Sequence, residues 1–179
     1  MNAKINTELA IPAGVTVTVS GPSVTVKGPK GELTRKLPGP EVKVEGNKVM
    51  LAYKKATRKE SAQMYTTKSH IKNMMEGVIT PFKYHMKICA SHFPMTVSVD
   101  NGKLLIKNYL GEKTPRIVKM KKNIDVKIKG QDITIESCDL ESAGGMASDI
   151  EVLTRRKGGR DNRVFQDGIY ITKKGGMNE

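Results

Sequence analysis

Apolar residues recur at every second position through much of this chain, the signature of short strands with one covered face. Val15, Val17 and Val19 share a face, Gly21-Pro22 turns the chain, and Val24 and Val26 continue to a second turn at Gly28-Pro29-Lys30-Gly31. A further hairpin sets Val42 and Val44 before Gly46-Asn47, with Val49 and Leu51 after it. From Arg58 to Glu76 the period lengthens. Ala62, Tyr65, Ile71, Met74 and Met75 then fall at three- and four-residue steps. That spacing predicts one stripe of an α-helix, with Gly77 as its stop.

A shift of about eighty residues brings the pattern back. Val24, Val26, Lys27, Gly31 and Glu32 fall on Leu104, Ile106, Lys107, Gly111 and Glu112. With four further residues inserted, Val42, Val44, Gly46, Val49 and Leu51 fall on Val126, Ile128, Gly130, Ile133 and Ile135. A second helix is expected over residues 139–153 with Met146, Ile150 and Leu153 inward. Residues 169–171 are expected to form a closing strand like that around residues 82–88. The reading is α+β: two similar small domains by internal duplication, each an antiparallel β-sheet packed against a helix. The first domain is placed at residues 1–81 and the second at 82–174, with 175–179 as a flexible tail.

A chain of 179 residues is long enough for two such small cores. Its net charge of +13 and isoelectric point of about 9.7 favour phosphate backbones or anionic surfaces as partners over a neutral metabolite. No stretch of about eighteen apolar residues is present to span a bilayer. Lys4, Asn6 and Glu8 interrupt any secretory leader, so a cytoplasmic location is expected. Cys89 and Cys138 lie far apart, which fits a reducing compartment better than a disulfide framework. With no Trp and few aromatics, a partner surface must act through charge and backbone shape.

Little in the sequence supports catalysis, a cofactor or a metal. In His85-x3-Cys89-x2-His92 the surrounding residues alternate as a strand. A rise of about 3.3 Å per residue then separates His85 from Cys89 by roughly 13 Å, too far for one zinc. Gly111-Glu112-Lys113-Thr114 lacks the earlier glycine of a phosphate loop, since Ile106 stands there, and has Glu where Lys is needed. No positioned nucleophile and base can be identified. The helical stripes sit at core spacing, which disfavours a membrane-surface role.

The charge is sorted abruptly near the end. Residues 131–153 hold six Asp or Glu and no Lys or Arg, whereas 155–174 hold seven Lys or Arg against two Asp. Arg155, Arg156, Arg160 and Arg163 supply planar forks for phosphates, with Lys157 among them, and Gly158-Gly159 clears side chains where a sugar-phosphate backbone must approach. Phe165 could stack on a base or anchor the segment. The ring of Tyr170 points away from the face shared by Ile169 and Ile171. Asp167-Gly168 reads as a turn, with Gly168 giving the backbone freedom and Asp167 orienting an arginine. Lys113, Arg116, Lys119, Lys121, Lys122, Lys127 and Lys129 form a second cationic segment. Such a surface reads folded RNA by shape and backbone. With about six phosphates neutralised, log affinity falls against log salt with a slope of roughly −4 to −5.

Beyond this residue chemistry, Gly28-Pro29-Lys30-Gly31-Glu32-Leu33, Ala90-Ser91-His92-Phe93-Pro94, Asn108-Tyr109-Leu110-Gly111-Glu112-Lys113 and the ending Arg163-Val164-Phe165-Gln166-Asp167-Gly168-Ile169-Tyr170-Ile171 together resemble the large-subunit ribosomal protein six family, called protein nine in eukaryotes. The likeness runs from about Ile11 to Lys174, and the ending resembles the archaeal and eukaryotic branch. The resemblance implies a structural, non-enzymatic protein of the large ribosomal subunit in the cytoplasm. Its implied partners are large-subunit ribosomal RNA beside the sarcin-ricin loop and stalk base, neighbouring ribosomal proteins, and translation GTPases that dock nearby, with no membrane and no small-molecule substrate. By position, it assigns RNA contact to Gly111 and Lys113 in a second-domain turn. It assigns the same to Arg155, Arg156, Lys157, Gly158, Gly159, Arg160, Asn162, Arg163, Gly168 and Tyr170 in the terminal loop, and to Lys173 and Lys174 beyond it. The first domain, whose charge is less sharply sorted, is expected to meet a neighbouring protein.

Overall fold

Alternating valines and isoleucines put their side chains on one face of each strand, and burying that face against a helix builds a core in each half of the chain. A computed structural model describes residues 5–53, 57–155 and 166–175. The chain divides into two units, Met1–Pro81 and Phe82–Glu179. Both are α+β, and the second repeats the element order of the first.

The first unit runs β1 (Ile5–Ala10), β2 (Thr16–Ser20), β3 (Ser23–Gly28), β4 (Gly31–Lys36), β5 (Glu41–Glu45), β6 (Lys48–Tyr53) and α1 (Arg58–Ile79). Its strands form two antiparallel sheets, β1-β6-β5 and β2-β3-β4. Val26, Val49 and Leu51 are wholly buried with Met64, Ile71 and Val78 of the helix. Each such side chain contributes about 1.5–3 kcal/mol by leaving water, so a one-residue slip in register would turn several of them outward at once.

Thr57 starts α1 with a capping box. Its hydroxyl accepts the Glu60 N–H at 3.3 Å and its own N–H donates to the Glu60 carboxylate at 3.0 Å. Two expectations for this helix fail. The inward stripe is Met64, Thr67, Ile71, Met74, Met75 and Val78, while Ala62 is exposed and Tyr65 is 59% exposed. Gly77 does not stop the helix but lies buried inside it. The stop is Thr80, in extended geometry, because Pro81 disfavours a helical residue before it.

The second unit runs β7 (Phe82–Cys89), β8 (Thr96–Asp100), β9 (Lys103–Lys107), a 3-10 turn (Tyr109–Gly111), β10 (Arg116–Lys119), β11 (Asp125–Lys129), β12 (Asp132–Ser137), α2 (Leu140–Thr154) and β13 (Gly168–Lys173). Its sheets are β10-β9-β8 and β11-β12-β7-β13. Leu104, Ile106, Ile133, Ile135, Met146, Ile150 and Ile169 are wholly buried in its core. Asp139 caps α2 by accepting the N–H groups of Glu141 at 3.2 Å and Ser142 at 3.3 Å.

The register corrects the duplication in two places. The strand at residues 82–88 does not close the first unit. It is β7, holding in the second unit the place of β1 in the first, and β13 pairs along its far edge with Ile169 opposite Ile88. Gly111 and Glu112 are also not the partners of Gly31 and Glu32. Gly31 opens β4 directly, whereas Gly111 closes a 3-10 turn well ahead of β10.

Candidate nucleic-acid interface

The connection from β9 to β10 bends sharply because three of its residues take left-handed backbone angles: Asn108 (φ 59°), Leu110 (φ 51°) and Gly111 (φ 80°). Such geometry costs a branched residue like Leu110 about 1–2 kcal/mol. The surroundings hold it in place. The Asn108 side-chain amide donates to the Pro94 carbonyl at 2.9 Å, Leu110 packs on the core, and the Phe93 ring lies against Gly111. A Cβ at position 111 would stand 3.4 Å from that ring. Glu112 and Lys113 follow, exposed.

Arg116 fastens this turn to the end of α2. Its guanidinium donates to both Glu112 carboxylate oxygens, with the Nε bond at 2.8 Å, and to the carbonyl of Leu153. It also lies 4.1 Å from the centre of the Tyr109 ring. A cation on a terminal helix carbonyl satisfies an orphan acceptor and complements the helix dipole. The hydrogen bond from Arg116 holds the Glu112 carboxyl below the usual range, against the opposing effect of burial. Although Arg116 belongs to the second cationic segment by sequence, its fork is turned inward.

Tyr109, buried under Arg116, donates its hydroxyl to the carbonyl of Thr154, the last residue of α2. The carbonyl of Asp167 lies 3.5 Å from the same hydroxyl, and the Thr154 hydroxyl accepts the N–H of Ile169 at 3.0 Å. The Asp167 carboxylate is buried and takes hydrogen bonds from the N–H of His92 at 3.1 Å, from the His92 ring at 2.8 Å and from the N–H of Ser91. Burial alone would push its carboxyl up. The His92 N–H and ring and the Ser91 N–H outweigh that and hold it below the usual range. Arg156, Arg160 and Arg163, among which its expected arginine partner would stand, lie outside the described residues; what Asp167 is seen to fasten is the β7–β8 connection. That partnership spans 75 residues of chain, and local pattern carries no sign of it.

The sequence-assigned residues divide accordingly. Gly111 and Lys113 sit on the exposed side of the bent turn. Arg155 is exposed just past α2, with its N–H on the Val152 carbonyl at 3.2 Å. Gly168 is buried at the start of β13. The ring of Tyr170 covers it, leaving a Cβ at position 168 only 3.2 Å from the phenol oxygen. Close approach, then, explains this glycine, whose backbone is not left-handed. Tyr170 is 42% exposed beside the wholly buried Ile169, as strand alternation requires. Lys173 and Lys174 are exposed. Arg156, Lys157, Gly158, Gly159, Arg160, Asn162, Arg163 and Phe165 lie outside the described residues, as do 176–179 of the tail.

The acidic stretch before the terminal segment has partners elsewhere in the unit. Glu136 pairs with Lys83 and Lys127, each at 3.3 Å, and Asp149 with Lys121 at 3.3 Å. Part of the second cationic segment is therefore neutralised within the fold. In the first unit, Arg35, Lys36, Lys59 and His70 line a shallow groove between β4 and α1. Among the described residues no group of His, Cys, Asp and Glu is arranged to hold a metal ion, and no helix is long and apolar enough to cross a membrane.

Comparison with known proteins agrees with this architecture. The model of the family described as ribosomal protein L6 matches residues 11–80. Across nearly the whole length, the chain is similar to large ribosomal subunit protein uL6 of several archaea. It is 44% identical to that of Methanobrevibacter smithii over 96% of this chain and 97% of the relative. With the protein of Desulfurococcus amylolyticus the identity is 46% over 94% of each. With that of Sulfurisphaera tokodaii it is 41% over 93% of this chain and 91% of the relative.

Proposed function

The chain belongs to the ribosomal protein L6 family, in its archaeal branch, and from that premise we propose that its second unit binds large-subunit ribosomal RNA through the terminal basic segment. The protein is a structural constituent of the large ribosomal subunit, associated with ribosomal RNA and other ribosomal proteins in the cytoplasm, and not an enzyme. The finer reading puts the contact beside the sarcin-ricin loop and stalk base, near where translation GTPases dock. In that reading Gly111, Lys113, Arg155, Arg156, Lys157, Gly158, Gly159, Arg160, Asn162, Arg163, Gly168, Tyr170, Lys173 and Lys174 form the contact, and the first domain, residues 1–81, meets a neighbouring protein.

One observation carries this reading. The cationic run is strung between the end of α2 and the start of β13, and buried hydrogen bonds fasten both of those ends. A loop that served only as a connection would need neither its arginines nor such anchorage. Arginine forks and bare glycine backbone suit the phosphates and sugars of folded RNA better than they suit a base code.

Charge removal is the clean test, since cutting the chain after α2 would take Ile169 out of the core along with the loop. The full chain and a variant with Arg155, Arg156, Arg160 and Arg163 changed to Gln are titrated across a salt series with a large-subunit RNA fragment carrying the sarcin-ricin region. The variant is expected to bind more weakly, its salt slope falling by about 0.9 for each duplex phosphate it no longer neutralises. Equal affinity and slope would move recognition to the lysines of 113–129 or to the groove of the first unit.

A further inference from the structure

Phe93 is 43% exposed, yet the chain on either side of it is pinned. The Asp167 carboxylate holds the N–H of His92 at 3.1 Å and its ring at 2.8 Å, and the Pro94 carbonyl accepts the Asn108 amide at 2.9 Å. The ring rests with its Cδ1, Cε1 and Cζ against Gly111, whose left-handed φ of 80° suits a residue without a side chain. Lys107 and Lys113, before and after this bent turn, are exposed and carry no ion pair among the described residues. Arg116 ties the same turn to Leu153, just before the exposed Arg155. We propose that Phe93 is a stacking platform for an unpaired base of the RNA, with Lys107, Lys113 and Arg155 taking phosphates of the same strand.

The first half of the molecule is the internal control. Its connection from β1 to β2 also sets an apolar residue before a proline, Ile11-Pro12, but Ile11 is buried in the core at 7% exposure. There β3 turns straight into β4, so no bent turn stands ready to hold a ring at the surface. The equivalent residue of the second unit is larger, aromatic and outside the core. Leaving that ring in water forgoes the gain that burial gives Ile11. A nucleobase offers a flat face to cover it, whatever the sequence. Because His92 and Pro94 are already fixed, little ordering remains for binding to supply. A protein partner could cover a ring as well, but the cations of the turn and of the end of α2 call for a strand that carries a phosphate at every step.

This inference rests on the reading that the second unit binds RNA, and its test separates the two. The chain contains no Trp, so Phe93→Trp places a single indole at the platform, and Tyr65→Trp, on the exposed face of α1, serves as the control. Full-length wild type, Phe93→Leu, both Trp variants and the four-arginine variant are titrated with the same RNA fragment across the salt series. Phe93→Leu is expected to bind about five- to twentyfold more weakly with an unchanged slope, because stacking neutralises no phosphate. Phe93→Trp is expected to bind like wild type and to lose most of its fluorescence amplitude on RNA with little change in lifetime, the mark of a ground-state stack, while Tyr65→Trp stays bright. Wild-type affinity in Phe93→Leu, or an unquenched Phe93→Trp in a complex that forms, overturns the stacking role alone. Failure of wild type to bind the fragment overturns the RNA reading and the stack with it. Unaltered binding by the four-arginine variant, beside a quenched Phe93→Trp, removes the terminal segment from the contact and upholds the stack. Should Phe93→Leu fail to fold, the Phe93→Trp fluorescence decides the outcome.

Discussion

Six residues separate the paired Val26 and Leu33 in the first unit, whereas nine separate the paired Ile106 and Arg116 at the matching hairpin of the second. The extra residues make the left-handed turn that carries Tyr109. The second unit also has β13, which has no counterpart among the described strands of the first. These two additions, far apart in sequence, meet at Thr154 and Asp167. The shared parts of the duplication build two similar cores, and the places where the second copy departs from the first build the candidate interface.

The sharpest way to probe the shared parts is to damage one wholly buried helix position in each core. Ile71 and Ile150 are wholly buried on the inner faces of α1 and α2. Ile71→Ala and Ile150→Ala are each expected to destabilise by about 2–5 kcal/mol. If the cores are energetically separate, residue-resolved hydrogen exchange will show each loss confined to its own unit. Loss of protection in both units from either change would break the comparison.

Acid probes the added parts. Asp167 has a lowered carboxyl pKa, so the stability it contributes is present above the ordinary aspartate value near 3.8 and disappears as pH falls through the lower folded value. Thermal melts of wild type should lose stability over that acidic window. Asp167→Asn should flatten the dependence and, by weakening the bonds at Ser91 and His92, cost about 1–3 kcal/mol near neutral pH. An unchanged acid profile in the variant would remove Asp167 from the anchorage.

The helix caps should differ least. Thr57→Ala and Asp139→Ala are each expected to cost about 0.5–2 kcal/mol in denaturant unfolding. Their similarity would mark the caps as part of the common scaffold, while a much larger loss at Asp139 would tie that residue to the second unit's special features.

Much of the scaffold could be read from the chain because parity is a local signal. Val24 with Val26, Val49 with Leu51, and their later equivalents announce their buried face by alternation, and all eight are buried. Helix facing was harder to read. Thr67 is polar yet buried and Tyr65 is aromatic yet exposed, so residue type misstated the stripe of α1. β1 escaped notice because polar Thr7 stands between Ile5 and Leu9, which leaves only two apolar residues on that face. At the site, composition singled out the basic segment, but not its anchorage. Arg116 looked like one more phosphate ligand until its fork was found on Glu112 and Leu153. The bonds from Tyr109 to Thr154 and from His92 to Asp167 join residues 45 and 75 positions apart, and nothing periodic links such positions.

β13 also imposes an order on how the molecule is made. α1 follows directly on the strands it covers, so the first core has all its wholly buried residues once Val78 has been synthesised. The second waits for Ile169, whose partner Ile88 on β7 is translated far earlier. Until then the outer edge of β7 is an unpaired strand with Met86 and Ile88 beside it, the kind of surface on which nascent chains associate wrongly. Synthesis rate and chaperone access between those two points should therefore govern the yield of the second half far more than that of the first.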